Sequence, residues 1–184
     1  MTAILLEPHH DDATLFAAFT CIRERPLVVT AFRSVVQERF GITHEQRARE
    51  NATAMTTLGC MWEQWDFPDS HPETPAIRSE LHLLDARSSE AAQVFAPAIE
   101  VDGHAQHNLI GQLADEVFGE DRVTHYLTYG RHRGKSRDGT EVPFEPAWIR
   151  TKLRALACYE SQIETAAANC WMWFAEDLRE YVQP

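Results

Sequence analysis

The stretch Ala3-Ile4-Leu5-Leu6-Glu7-Pro8-His9-His10-Asp11-Asp12 decides how the rest of the chain is read. Its apolar half, from Thr2 to Leu6, has the length and composition of a short buried strand. Its polar half ends that strand at once, and the apolar run from Ala13 to Arg23 reads as the helix that follows. A strand handing over to a helix through a tight polar turn is the opening unit of an α/β protein.

The same alternation continues along the chain. Pro26-Leu27-Val28-Val29-Thr30 is a second buried strand, with its proline at the start, where a missing N–H does little harm. Arg33 to Thr43 is irregular, and a helix from His44 to Leu58 stops at Gly59, a residue suited to a C-terminal cap. Met61 to Phe67 is a third strand, closed by the turn-forming Pro68-Asp69-Ser70, with a loop to Pro75 and a helix from Ala76 to Ala86. Ala92 to Ala96 is a fourth strand, followed by a helix from Leu109 to Val117 and a strand from Val123 to Tyr129. Arg131 to Val142 is a basic, glycine-containing loop, and helices from Pro146 to Ala168 and from Trp171 to Tyr181 close the chain. This order predicts a three-layer, Rossmann-like α/β fold, a mostly parallel sheet with helices on both faces. No repeat, low-complexity tract or linker interrupts it, so residues 1–184 read as a single domain.

Bulk composition narrows the function classes. Acidic residues outnumber basic ones by 28 to 17, and the formal charge of −11 argues against nucleic acid or an anionic membrane surface as partner. Cys21, Cys60, Cys158 and Cys170 form no CxxC pair and read as buried thiols of a reducing compartment. The first residues enter a strand directly, and no apolar stretch approaches the ~20 residues of a membrane helix. The expected location is cytoplasmic.

In open α/β sheets ligands gather at the carboxyl ends of the strands. Pro8 to Asp12 follows the first strand, and Gly103-His104-Ala105-Gln106-His107 follows the fourth. A catalytic divalent metal needs three protein ligands, an open position, and a base that is not itself a ligand. A tight strand-to-helix turn can aim His9 and Asp12 at one ion, with Asp11 beside the bound water. His107 would complete the set, and His104, one helical turn earlier, would lie near the substrate and stabilise an oxyanion. Each motif alone has an ordinary alternative: His9 to Asp12 as a helix N-terminal cap, and His104-x-x-His107 as surface histidines on one helical face. Their placement after two strands of one sheet favours the metal.

The chain resembles the zinc-dependent N-acetylglucosaminyl deacetylases of the PIG-L/LmbE-like group. Pro8-His9-His10-Asp11-Asp12 is similar to that family's His-Pro/Ala-Asp-Asp signature, and Gly103 to His107 matches its Gly-His-Pro-Asp-His in outline. Arg47, Glu50, Ala54, Leu58 and Gly59 resemble its Arg-x-x-Glu-x-x-x-Ala-x-x-x-Leu-Gly element, and Phe67-Pro68-Asp69-Ser70 its Pro-Asp-Gly turn. Lys152, Ala155, Tyr159, Ser161 and Gln162 follow its C-terminal helix pattern. The resemblance implies that His9, Asp12 and His107 bind Zn2+, or another divalent metal such as Fe2+. It implies Asp11 as general base, His104 as the group polarising the amide carbonyl, and Arg47 and Asp69 as contacts to sugar hydroxyls. Plainer roles for the last two are an Arg47–Glu50 pair across one helical turn and an Asx turn at Asp69. The implied activity is hydrolysis of the N-acetyl group of an amino sugar or its conjugate. A larger acyl group, or a non-catalytic module retaining the fold, is the alternative. The implied partner is a small molecule, and a homo-oligomer is compatible with the resemblance.

Four departures stand out. Gln106 replaces the aspartate behind the catalytic imidazole, so His104 is expected to titrate lower than with a carboxylate there. Ala13 replaces a glutamate, with little expected effect on the metal. His10 takes a proline or alanine site, and its side chain is expected to alternate away from His9 and Asp12 as a polar neighbour. Ala31-Phe32-Arg33-Ser34 is bulkier than the glycine-rich loop that relatives carry. Apart from these, Arg131 to Arg137 reads either as a solvated loop or as basic groups offered to an anionic substrate.

Overall fold

Ile4 and Leu6 leave the first strand on one side, Ala3 and Leu5 on the other, and all four are buried. A strand covered on both faces belongs in the middle of a sheet between two helical layers. The computed structural model describes residues 3–33, 41–89, 92–101, 103–129, 139–163 and 178–183 and bears this out. Strands β1 (Ala3–Glu7), β2 (Leu27–Arg33), β3 (Met61–Pro68), β4 (Gln93–Pro97), β5 (Val123–Tyr126), β6 (Thr140–Glu141) and β7 (Tyr181–Gln183) form one sheet in the order β3-β2-β1-β4-β5-β7-β6. The five strands from β3 to β5 are parallel, and β7 runs antiparallel to both β5 and β6.

The helices are α1 (Asp12–Phe16), α2 (Ala18–Glu24), α3 (His44–Leu58), α4 (Thr74–Ala86), α5 (Ala105–Phe118), α6 (Pro146–Leu156) and α7 (Glu160–Ile163). Leu5 and Val28 pack with Ala54, Met55 and Leu58 of α3 and with Ala155 and Leu156 of α6. On the other face Ile4, Leu6 and Val29 pack with Ile77, Leu81 and Leu84 of α4 and with Ile110 and Leu113 of α5. Strands β1 and β4 are neighbours, yet the helices that follow them cover opposite faces. Their loops therefore diverge and leave a crevice at the carboxyl edge, the switch point of an open α/β sheet.

Several predicted elements need correction. The helix expected from Ala13 to Arg23 is split at Ala17, where φ is −141° and ψ 23°. The bond from Phe19 N–H to Leu15 O is missing because an ion pair is spliced into it. Lys152 Nζ donates to Leu15 O (3.0 Å) and to Glu180 Oε1 (2.7 Å), while Glu180 Oε2 accepts from Phe19 N–H (2.9 Å). A side chain inserted into the backbone ladder is a recognised cause of helix breaks. Helix α5 begins a turn earlier than Leu109, so His107 is helical rather than in the preceding loop. Tyr181, expected in a helix, starts β7 and covers the edge of β5.

The helix predicted from Pro146 pauses between Leu156 and Glu160. The basic stretch Arg131 to Arg137 and the aromatic residues Trp171, Trp173 and Phe174 lie outside the described residues, as does Cys170. Cys21 is buried and free, and Cys60 and Cys158 are free and half-buried. No helix among the described residues is long and apolar enough to cross a membrane.

Candidate metal centre

Pro8 ends β1, and its carbonyl accepts Phe32 N–H (3.0 Å) across the irregularity in the β2–β3 pairing after Thr30. The chain then makes one tight turn in which Asp12 N–H reaches His9 O (3.2 Å) and His9 N–H donates to Asp12 Oδ2 (2.8 Å). This turn brings the two side chains to one side, with His9 Nδ1 3.3 Å from Asp12 Oδ2. From the segment after β4, His107 in the first turn of α5 places Nε2 3.2 Å from the same oxygen.

These spacings test the residues against a metal. Four ligands about 2.0–2.1 Å from one ion stand ~3.3 Å apart at tetrahedral corners. The His9–Asp12 and Asp12–His107 separations are two such edges. Part of the donor set is left unsatisfied: Asp12 Oδ1 and His107 Nδ1 are buried without a hydrogen-bond partner, and His107 Nε2 faces only Asp12 Oδ2. Unpaired buried polar atoms are costly unless something else satisfies them. His9, His104 and His107 form a second overlapping group, their ligand atoms within 4.8 Å of one another. The donor set of two imidazoles and a carboxylate, with a third imidazole at the rim, suits a borderline divalent ion such as zinc.

Electrostatics point the same way. Burial pushes the Asp12 carboxyl up, but the charges and hydrogen bonds of His107 and His9 outweigh it and hold it well below the usual range. Burial also pushes His9 down, yet the hydrogen bond and charge of Asp12, with Asp11 and Asp69, leave it above its ordinary value. His104 is lowered to about 4, first by burial and then by the like charges of His9 and His107.

Asp11 points elsewhere. Its Oδ2 accepts from Arg47 Nη2 at 3.1 Å, and Arg47 is itself buried, with Glu50 Oε2 3.9 Å from Nη1. The expected Arg47–Glu50 contact exists but is the longer one, because Glu50 accepts Ser161 N–H (2.9 Å) and Ser161 Oγ–H (2.6 Å). Asp69 is buried, and its carboxylate raises both His9 and His104, so the residue is near both. Gln106 turns to Asp69, donating to its carbonyl at 2.7 Å. His10 is wholly buried and, as expected, directed away from His9 and Asp12, bonding to Gln64.

Several site residues carried no motif in the sequence. Glu7 lies under the turn, where its carboxylate accepts from Ala13 N–H (3.0 Å), Asn51 Nδ2 (2.6 Å) and Thr30 Oγ1. Burial raises it to about 8 against those three bonds. Tyr159 O–H donates to Asn51 Oδ1 (2.5 Å), which ties the C-terminal pattern to α3 beneath the site. Tyr129 and Phe16 wall the crevice beside His107, with ring centroids 5.5 and 6.3 Å away. An aromatic residue at a helix end or just past a strand is equally at home in a core, so only the fold reveals these walls.

Solved structures share this architecture. A deacetylase triple mutant of the teicoplanin biosynthetic pathway matches with a TM-score of 0.78 and 16% identity, over 94% of this chain and 89% of that one. The N,N'-diacetylchitobiose deacetylase of Pyrococcus horikoshii matches with a TM-score of 0.72 and 17% identity, over 99% and 82%. The fold is LmbE-like. The 4-carboxy-2-hydroxymuconate hydratase GalB of Pseudomonas putida also has the LmbE-like fold, with a TM-score of 0.76 and 15% identity over 100% of this chain and 95% of that one. No family model matches the sequence, and no curated protein does. Because the LmbE-like fold holds both deacetylases and a hydratase, chemistry must be argued from the residues of the crevice.

Proposed function

We propose that the chain is a metal-dependent amide hydrolase of the PIG-L/LmbE type that removes the N-acetyl group from an amino sugar or its conjugate. The observation that carries this reading is the division of the adjacent carboxylates. Asp12 has its oxygen between His9 and His107, while Asp11 stays outside that group in the grip of Arg47. A purely structural metal site has no use for the second carboxylate, which favours an enzyme over a binding module.

His9, Asp12 and His107 would hold the ion, Zn2+ or another divalent metal such as Fe2+. When bound, such an ion acidifies water and polarises the acyl oxygen. Asp11 takes the proton from the attacking water and returns it to the departing amine. His104, neutral near pH 7 with its value lowered to about 4, donates a hydrogen bond to the oxygen on which charge develops. Arg47 orients Asp11, and Arg47 and Asp69 are the groups offered to sugar hydroxyls. The buried ring of Phe16 and the half-buried ring of Tyr129 limit water around His107. Products are acetate and a free amine.

The test is metal analysis of the purified protein with acetate release from a panel of N-acetyl amino sugars, and of analogues with longer acyl chains. Stoichiometric metal and zinc-dependent acetate release are expected. Protein that binds no zinc and releases no acid from any member of the panel would reject the reading.

A further inference from the structure

His10 has no part in the ligand set or in the proton transfer, yet it is fully buried in the middle of the motif. Its Nε2 lies 3.0 Å from Gln64 Oε1 on β3, and Gln64 Nε2 lies 2.7 Å from His44 Nε2. The two contacts require complementary tautomers. A carbonyl oxygen only accepts, so His10 carries its proton on Nε2; an amide nitrogen only donates, so His44 keeps a lone pair on Nε2 and its proton on Nδ1.

His44 is the first residue of α3, and Arg47 follows three residues later on the same helical face. Arg47 reaches Asp11, and Asp11 is the chain neighbour of His10. The links therefore close a circuit: His10, Gln64, His44, one turn of α3, Arg47, Asp11 and back to His10. The gap between the β1–α1 turn and α3 sets how Arg47 meets Asp11, and Gln64 spans that gap. His9 and Asp12 are held separately, by the bonds between them within the turn. Motifs with proline or alanine at position 10 have no such circuit.

We propose that His10, Gln64 and His44 form a positioning strut that sets the aim of the Asp11 carboxylate through Arg47, without acting on the metal ligands. The proposal rests on Asp11 as the base of the hydrolase reading above. A reacting group displaced by about 1 Å can lose ~100-fold in rate, so the strut has leverage on turnover.

The experiment uses the full-length, zinc-loaded protein and its Gln64→Leu, His10→Leu and His10→Gln variants. Turnover is followed by acetate release from an N-acetylglucosamine derivative, zinc affinity by chelator competition, and tautomers by 15N imidazole spectra. Gln64→Leu and His10→Leu are expected to lower kcat by about 10–100-fold, with KM and zinc affinity within about two-fold. His10→Gln, which restores an N–H donor of similar reach, recovers most of kcat. The wild type shows a proton on Nε2 of His10 and on Nδ1 of His44. Full kcat in folded Gln64→Leu, zinc affinity falling in parallel with kcat, or the same tautomer at both histidines would each overturn the strut. If His10→Leu does not fold, Gln64→Leu decides alone. A wild type with no turnover overturns the hydrolase reading itself, a result distinct from variants that match an active wild type.

Discussion

The carboxylates of Asp11 and Asp12 leave the backbone one residue apart and enter different surroundings, Arg47 for the first and two imidazoles for the second. Their substitutions should therefore separate binding from turnover. Asp11→Asn is expected to lower kcat by about 10²–10⁴-fold while zinc affinity changes little, the range for loss of a general base. Asp12→Ala is expected to lose zinc itself, as read by chelator competition. Beneath them Glu7 carries a pH signature of folding. Its carboxyl is raised from 4.5 to about 8 by burial, so the folded state prefers the protonated form. The stability this confers is complete below about pH 4.5 and is lost as pH rises towards about 8. Thermal melts of the metal-free protein across that window should fall more steeply for the wild type than for Glu7→Gln. Parallel slopes would show that Glu7 stays ionised in the fold. The convergence of His9, Asp12 and His107 was legible because metal chemistry restricts residue type and spacing. Glu7 was not, since a lone carboxylate inside a strand gives no sign of what it will face.

The break between α1 and α2 belongs to the scale of the element. From Ala13 to Arg23 the apolar pattern is unbroken, and local propensity alone asks for one helix. What divides it comes from two distant segments, Lys152 of α6 and Glu180 before β7, both buried. Long-range insertion of this kind leaves no local trace, which is why the break could not be read beforehand. The start of α5 was misjudged for a related reason: polar Gln106, His107 and Asn108 fill its first turn because the crevice requires them there. Helix α3, by contrast, was legible to the residue, since Thr43 caps its first turn and Gly59, at φ 79°, ends it. The splice makes a definite demand on stability. Glu180→Gln leaves the Lys152 ammonium buried without its counter-ion, a loss of about 3–5 kcal/mol. That corresponds to a fall in Tm on the order of 10 °C for a chain of this size. The Lys152→Met, Glu180→Leu double variant removes both charges and should recover part of it. Melting curves that fail to rank the double variant above Glu180→Gln would show that the ion pair does not hold this junction.

At the scale of the whole molecule, the alternation of strands and helices was enough to anticipate the sheet and the edge at which the two motifs meet. The antiparallel strands β6 and β7 were not anticipated, being too short to carry a period of their own. Their pairing is decided by the open edge of β5. The same LmbE-like architecture serves deacetylases and a hydratase, so a global property that depends on the crevice is the most direct link between fold and chemistry. The proposed metal binding supplies one. The two proposed ligand groups lie at the turn into α1 after β1 and in the first turn of α5 after β4, so an ion bound between them joins the two sides of the switch point and stabilises only the folded state. With free zinc at ~100 times its dissociation constant the gain is about 2.7 kcal/mol, which for this chain length raises Tm by roughly 5–11 °C. Zinc titration followed by differential scanning calorimetry should show that rise, and a chelator should reverse it. His107→Ala should abolish the rise, because it removes the contribution from α5, while Asp11→Asn should keep it. A rise that survives His107→Ala would place the ion elsewhere and separate the fold from the proposed chemistry.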